Sequence, residues 1–152
     1  MSGDPLLPAI GDDEAPFWEA AAKGELRIQQ CANCERLRFP PRSMCPWCQS
    51  LESRWALMSG RGRLYSFVVP HPPLLPAFSD LAPYNVILVS LEEDATIRLI
   101  GNLVNRAGDA INAVDPSSIE LDQPVQVVFE DLTDEIHMPR WVRSAPAQTS
   151  SS

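Results

Sequence analysis

Four cysteines are the residues whose type and spacing best suit chemistry in this 152-residue chain. They stand as two Cys-x-x-Cys pairs, Cys31 with Cys34 and Cys45 with Cys48, with ten residues between the pairs. Such a pair sets two thiolates on one side of a tight turn, each about 2.3 Å from a shared Zn²⁺. Two turns brought together by a short hairpin complete a closed tetrahedral Cys₄ site. Residues 37–42, with Pro40 and Pro41, read as the connection that brings them together. Paired disulfides would need an oxidising compartment, and a redox dithiol accounts for one Cys-x-x-Cys but not for two in close register. The spacing does not distinguish zinc from iron. A closed cage has no open position for substrate, so the metal is structural.

The remaining candidates for catalysis are sparse. There are two histidines, His71 and His137. His71 lies in a Pro-rich loop where a general base could sit, but it has no Asp or Ser at a recognisable spacing, and His137 has none either. Both read as surface or packing residues, with an enzyme using His71 as base kept as an alternative. The chain has no phosphate loop, no Gly-x-Gly-x-x-Gly and no nucleophile elbow. The pattern favours a protein that binds something over one that converts it.

Positioning the cysteines requires a β-rich frame. Residues 1–13 carry no periodicity and read as a flexible leader. Residues 14–24 read as a short helix, with Pro16 in its first turn, three alanines and Gly24 as the stop. Phe17, Trp18 and Ala21 would form an apolar stripe, and so short a helix needs a surface to dock on. That surface is the chain itself or a partner. Residues 25–30 alternate polar and apolar as a strand leading into Cys31, and residues 53–58 can pair back with it, so 25–59 forms a zinc ribbon. Its hairpin of about 25 residues has little core, so the metal supplies most of its folding free energy and chelation unfolds it first.

From residue 60 the composition turns to β-branched and aromatic residues. Five strands are expected at 63–70, 84–92, 96–104, 124–130 and 138–142. Residues 71–83 form a Pro-rich loop that carries Leu74, Leu75, Phe78 and Leu81, apolar area that needs a cover. Residues 105–122 are turn-rich without a helix. Five strands suit a small barrel of the OB type over 60–144, because closure removes exposed edges. Residues 145–152 read as a disordered tail. The fold class is therefore mainly β: an N-terminal helix, a zinc ribbon and a C-terminal five-stranded OB-fold barrel.

Charge narrows the partners. The net charge is −8, yet seven of the 12 basic residues fall between positions 27 and 63 against only Glu35 and Glu52. The ribbon is a basic island on an acidic protein. Between positions 64 and 142 there are 3 arginines and 12 acids, which repels a phosphate backbone. An OB-fold and zinc-ribbon module binding nucleic acid is the alternative reading, and this charge argues against it. No apolar run approaches the ~20 residues of a membrane span. The first 16 residues hold acids and no base, unlike a signal peptide, so the expected compartment is the cytoplasm.

Several stretches follow one family's order: Pro16-Phe17-Trp18-Glu19-Ala20, Gly24-Glu25-Leu26, Cys31-x-x-Cys34, Phe39-Pro40-Pro41-Arg42, Cys45-Pro46-x-Cys48 and Gly60-Arg61-Gly62-Arg63-Leu64-Tyr65-Ser66. Ala82-Pro83-Tyr84 and Val127-Val128-Phe129-Glu130 extend the match to about residues 15–143. In these the chain resembles the DUF35 family of acyl-CoA-associated proteins, with a rubredoxin-like zinc ribbon and an OB fold. The resemblance implies a non-catalytic accessory subunit. Its partner would be a thiolase-fold enzyme: an acyltransferase, a thiolase, or an aldolase of steroid side-chain degradation. The two would form a hetero-oligomer that holds or passes an acyl-CoA.

On that footing residues can be assigned. Arg36, Arg38, Phe39, Arg42, Arg61 and Arg63 are expected at the CoA, where guanidinium groups would receive phosphates. Phe17, Trp18, Leu74, Leu75 and Phe78 are expected along the acyl path or at the partner contact. Cys31, Cys34, Cys45 and Cys48 hold the Zn²⁺. Neither nucleic acid nor membrane is expected as a partner.

Overall fold

A computed structural model describes residues 6–144. The leader's first five residues and the tail from 145 lie outside the described residues. Helix α1 (Ala15–Ala22) carries Pro16 in its first turn. It ends where the Lys23 and Gly24 N–H groups return to the Ala20 and Ala21 carbonyls, with Gly24 at a φ of 74°. A left-handed φ suits glycine, which has no Cβ to clash. The stripe docks on the chain itself, since Phe17, Ala20 and Ala21 are buried and α1 packs on strands β1 (Arg27–Cys31) and β8 (His137–Arg143).

The ribbon is a three-stranded antiparallel sheet in the order β2-β1-β3, with β2 (Leu37–Arg38) and β3 (Ser53–Leu57) on either side of β1. Strand β2 corrects the expectation that 37–42 is only a connection. Gln29 pairs with Arg38 across β1 and β2, and the bonds between them turn the start of the linker into sheet.

The second sheet curls into a half-barrel in the order β6-β5-β4-β7-β8. Its strands are β4 (Arg61–Val68), β5 (Val86–Leu91), β6 (Arg98–Gly101), β7 (Pro124–Asp131) and β8. All five expected strands are present, with shifted ends. Strand β6 is shorter than expected, because the chain leaves β5 at Gly101 and crosses to β8. There Leu103 bridges Trp141 in parallel, with the Trp141 N–H on Asn102 O at 3.0 Å and the Val104 N–H on Trp141 O at 2.8 Å. The seam between β6 and β8 therefore meets at one end only. The loop at 71–83 contains a helical turn, α2 (Pro76–Ser79), and a 3₁₀ turn (Pro116–Ser118) interrupts 105–122.

Alternation places the core. Strand β5 buries Ile87, Val89 and Leu91, and β4 buries Gly62 and Leu64 while Arg61, Arg63 and Tyr65 face outward. At Gly62 the strands approach so closely that a Cβ would sit 2.5 Å from the Ser90 carbonyl oxygen. Phe17, Leu26, Ile28 and Met58 join one buried cluster with Leu64, Leu99, Val125 and the fully enclosed Trp141. Helix, ribbon and half-barrel share a single core.

Candidate metal centre and ligand cleft

Each knuckle is built by the same backbone bonds. Glu35 N–H donates to Cys31 O and Cys31 N–H to Arg36 O; Gln49 N–H donates to Cys45 O and Cys45 N–H to Ser50 O. Glu35 and Gln49, each the residue after a second cysteine, both lie at a φ of 65°. The four Sγ atoms fall within 4.8 Å of one another, with Cys31–Cys48 at 3.5 Å and Cys34–Cys45 at 3.6 Å. A tetrahedron with Zn–S near 2.3 Å has sulfur edges of about 3.8 Å. The residues fit structural zinc, and the sequence expectation for all four holds geometrically.

The site's electrostatics favour thiolate at Cys31 and oppose it at Cys34. The Cys34 N–H, 3.4 Å from Cys31 Sγ, and the Asn33 N–H hold the Cys31 thiol down at about 6. Cys34 accepts from the Arg36 N–H, yet burial and the adjoining thiols push it up to about 11. Cys31 is thus ready as an anion at neutral pH, while the Cys34 thiol would release its proton to solvent only when a metal binds. What zinc supplies when bound is a fixed crossing of the two knuckles.

The structure disperses the basic island. Arg38 is buried, with Nε on Gln29 Oε1 at 2.8 Å and Nη2 on Arg42 O at 2.9 Å. Arg36 stacks on Trp47, 5.2 Å from the ring centroid, and the Arg42 side chain is exposed on the ribbon. Arg61 and Arg63 lie elsewhere, on the outer face of β4, paired with Glu92 at 3.1 Å and Asp122 at 3.8 Å. Nearness in sequence does not make these arginines one patch.

The apolar candidates do converge. A cleft of about 670 Å³ opens where α1, the end of the ribbon linker and the β6–β8 seam meet. Phe17, Trp18, Phe39 and Phe78 line it together. Phe17 lies 5.2 Å from Trp18 and 5.9 Å from Phe39, and Phe78 lies 5.9 Å from Tyr84, centroid to centroid. Leu74 and Leu75 stand outside that lining, Leu75 exposed. Sequence reasoning missed Leu88, Ile100, Met138 and the rim arginines Arg98 and Arg140. The signal was available for two of them: Leu88 and Ile100 hold outward positions on alternating strands yet are apolar. Arg140 is pinned by Glu130 at 2.9 Å and Asn102 at 2.7 Å, so one side of the rim is rigid.

The histidines offer little for catalysis. His71 is exposed. His137 does have a partner, contrary to the sequence expectation: its Nδ1 meets Asp131 Oδ1 at 2.6 Å and its Nε2 lies 3.3 Å from Asp134 O. These contacts hold the ring within the β7–β8 hairpin.

Fold and site together define a class: a metal-braced β protein that joins a zinc ribbon to an OB half-barrel and holds a cleft between them. The rubredoxin-like zinc ribbon domain of ChsH2 matches residues 18–52, and the ChsH2 C-terminal OB-fold domain matches residues 55–130. This chain belongs to the DUF35 family of ChsH2-type zinc-ribbon and OB-fold proteins. A probable enoyl-CoA hydratase alpha subunit of Thermomonospora curvata is 38% identical over 94% of this chain, which spans 41% of that relative's length. A DUF35 domain-containing scaffold protein of Methanothermobacter thermautotrophicus is 36% identical over 70% of this chain and 72% of its own. Among solved structures, the Ltp2-ChsH2(DUF35) aldolase superposes with a TM-score of 0.77 at 37% identity, covering 91% of this chain and 100% of the matched one. The family resemblance carried by the motifs is borne out.

Proposed function

We propose that this chain is a non-catalytic, zinc-braced accessory subunit that binds a thiolase-fold enzyme (an acyltransferase, a thiolase or a steroid side-chain aldolase) and helps hold or channel its acyl-CoA. The two would form a hetero-oligomer in the cytoplasm. Among the described residues, no helix is long and apolar enough to cross a membrane. The working division is a docking helix at 14–24, the ribbon at 25–59 and the half-barrel at 60–144.

The observation that carries the reading is the apolar cleft between ribbon and half-barrel, where Phe17, Trp18, Phe39 and Phe78 meet. An aromatic-lined cleft shelters an apolar arm from water but supplies no nucleophile or base, so the chemistry falls to the partner. The names of the relatives, a hydratase subunit, a scaffold protein and an aldolase complex, support the coarser part of this reading, a subunit of a larger assembly.

Co-expression with a thiolase-fold enzyme encoded beside it, followed by size-exclusion chromatography and an activity assay, tests the proposal. One co-eluting species whose enzyme activity depends on this chain is expected. Two separate peaks with unchanged enzyme activity would overturn it.

A further inference from the structure

Outside the aromatic cleft, on the exposed face of the half-barrel, lies a second notch of about 500 Å³ that collects Arg61, Arg63, Tyr65, Ser90 and Arg98. The strand registers explain the gathering. Arg63 pairs with Ser90 across β4 and β5, and Ser90 pairs with Arg98 across β5 and β6, so the three form one transverse row. Arg61 is two residues from Arg63 on the same outward face. Tyr65 sits at an irregularity in the β4–β5 register, between Leu64 and Ser66. A bulge re-aims a side chain, and here the Tyr65 ring lies under the Arg98 guanidinium, 4.0 Å from its centroid.

Charge and hydrogen-bonding capacity are left over at this place. Among the described residues Arg98 has no carboxylate within ion-pair distance and no hydrogen-bond acceptor, so its in-plane N–H groups are uncommitted. Arg61 is held by an exposed pair with Glu92, and Arg63 by an exposed pair with Asp122 together with a bond from its Nη1 to the Asp122 carbonyl oxygen at 2.9 Å. Exposed pairs of this kind are weak and yield readily to a better anion. A guanidinium stacked on an aromatic ring keeps its edge free for a bidentate phosphate contact, and its outer face can stack on a base. Arg98 also lines the aromatic cleft, so the notch and the cleft adjoin.

We infer that the Tyr65–Arg98 notch, with Arg61 and Arg63, receives the phosphate-bearing nucleotide end of a ligand whose long arm enters the aromatic cleft. This rests on the acyl-CoA reading above and deepens it by naming where the anionic end goes. Tyr65, Ser90 and Arg98 were not among the residues that sequence reasoning assigned to the ligand.

The test is calorimetric titration of the full chain at low salt with adenosine 3′,5′-bisphosphate, with inorganic pyrophosphate and with a single-stranded oligonucleotide. Saturable binding of the bisphosphate is expected. Arg98→Gln should weaken it at least tenfold, while Arg106→Gln, a substitution of an exposed arginine that lines neither notch nor cleft, leaves it unchanged. Glu92→Gln, which removes the carboxylate competing for Arg61, should tighten it by about two- to fivefold. Melting curves of Arg98→Gln and Arg106→Gln that match the parent show that lost binding is not lost folding, and Glu92→Gln is titrated well below its own melting temperature. Absent binding, equal binding by Arg98→Gln, pyrophosphate binding as tight as the bisphosphate, or tighter oligonucleotide binding would each overturn the inference. Co-elution with the thiolase-fold partner is measured on the same variants. If the complex persists while the bisphosphate fails to bind, only the notch assignment falls and the accessory-subunit reading stands.

Discussion

Arg38 and Gln29 form a buried polar pair in the ribbon: Arg38 Nε donates to Gln29 Oε1 at 2.8 Å, and the same oxygen accepts the Arg42 N–H at 2.8 Å. One amide oxygen thus ties the linker between the two knuckles back to strand β1. The guanidinium answers by donating to the Arg42 carbonyl. A buried charge keeps its place only while its hydrogen bonds are made. Gln29→Ala leaves both donors unmet and is expected to cost about 2 kcal/mol, read from the denaturant midpoint of the zinc-loaded protein.

The metal should be inseparable from the fold. We expect one zinc per chain by elemental analysis of freshly purified, reduced protein, and loss of it in Cys48→Ser. Chelation should unfold the ribbon, and because Leu26, Ile28 and Met58 belong to the common core, the melting temperature of the half-barrel should fall with it. The separate unfolding expected for an independent ribbon gives way to coupled unfolding. A calorimetric scan with and without chelator reads this out.

Gln49 holds a left-handed φ of 65° at the second knuckle and its side chain is exposed. Glycine takes that conformation without the Cβ clash, which costs other residues about 1 kcal/mol or more. Gln49→Gly is therefore expected to stabilise the zinc-loaded protein by about 1 kcal/mol, with zinc content unchanged. Thermal melts of the two proteins at equal zinc loading compare them.

Glu92 accepts from the Ser59 hydroxyl at 2.9 Å and from Arg61 Nε at 3.1 Å, and these bonds, the hydroxyl first, hold its carboxyl below the ordinary value of 4.5. A depressed folded value means the carboxylate stabilises the fold above the ordinary range, and that the contribution fades as pH falls through the lower folded value. Glu92→Gln should therefore be less stable than the parent above about pH 5, with the difference vanishing in stronger acid. Denaturant melts of both proteins between pH 7 and pH 3 give the comparison.

The metal ligands were fully legible in the chain, because a Cys-x-x-Cys pair specifies its own turn and two pairs need only a hairpin to meet. The strands were legible too: alternation in Val86–Leu91 and Arg61–Val68 declares which face is buried. Their ends were not, since the early exit of β6 depends on Leu103 reaching Trp141, a contact distant in sequence. The arginines misled for a related reason. A cluster in sequence became a patch only where strand register aligned it, as for Arg63, Ser90 and Arg98, while Arg38 turned inward to answer Gln29.

By itself the sequence determined the zinc ribbon and the OB-type strand set, which rest on local spacing and periodicity, and the family, which rests on a resemblance in motif order. Only the tertiary structure decided which side chains gather into a cleft or a notch. The aromatic cleft needs Phe17, Phe39 and Phe78 from three separate segments, and the notch needs residues from three paired strands. Side chains so far apart in the chain meet only after a shared core has fixed how helix, ribbon and half-barrel pack, and no local pattern encodes that packing.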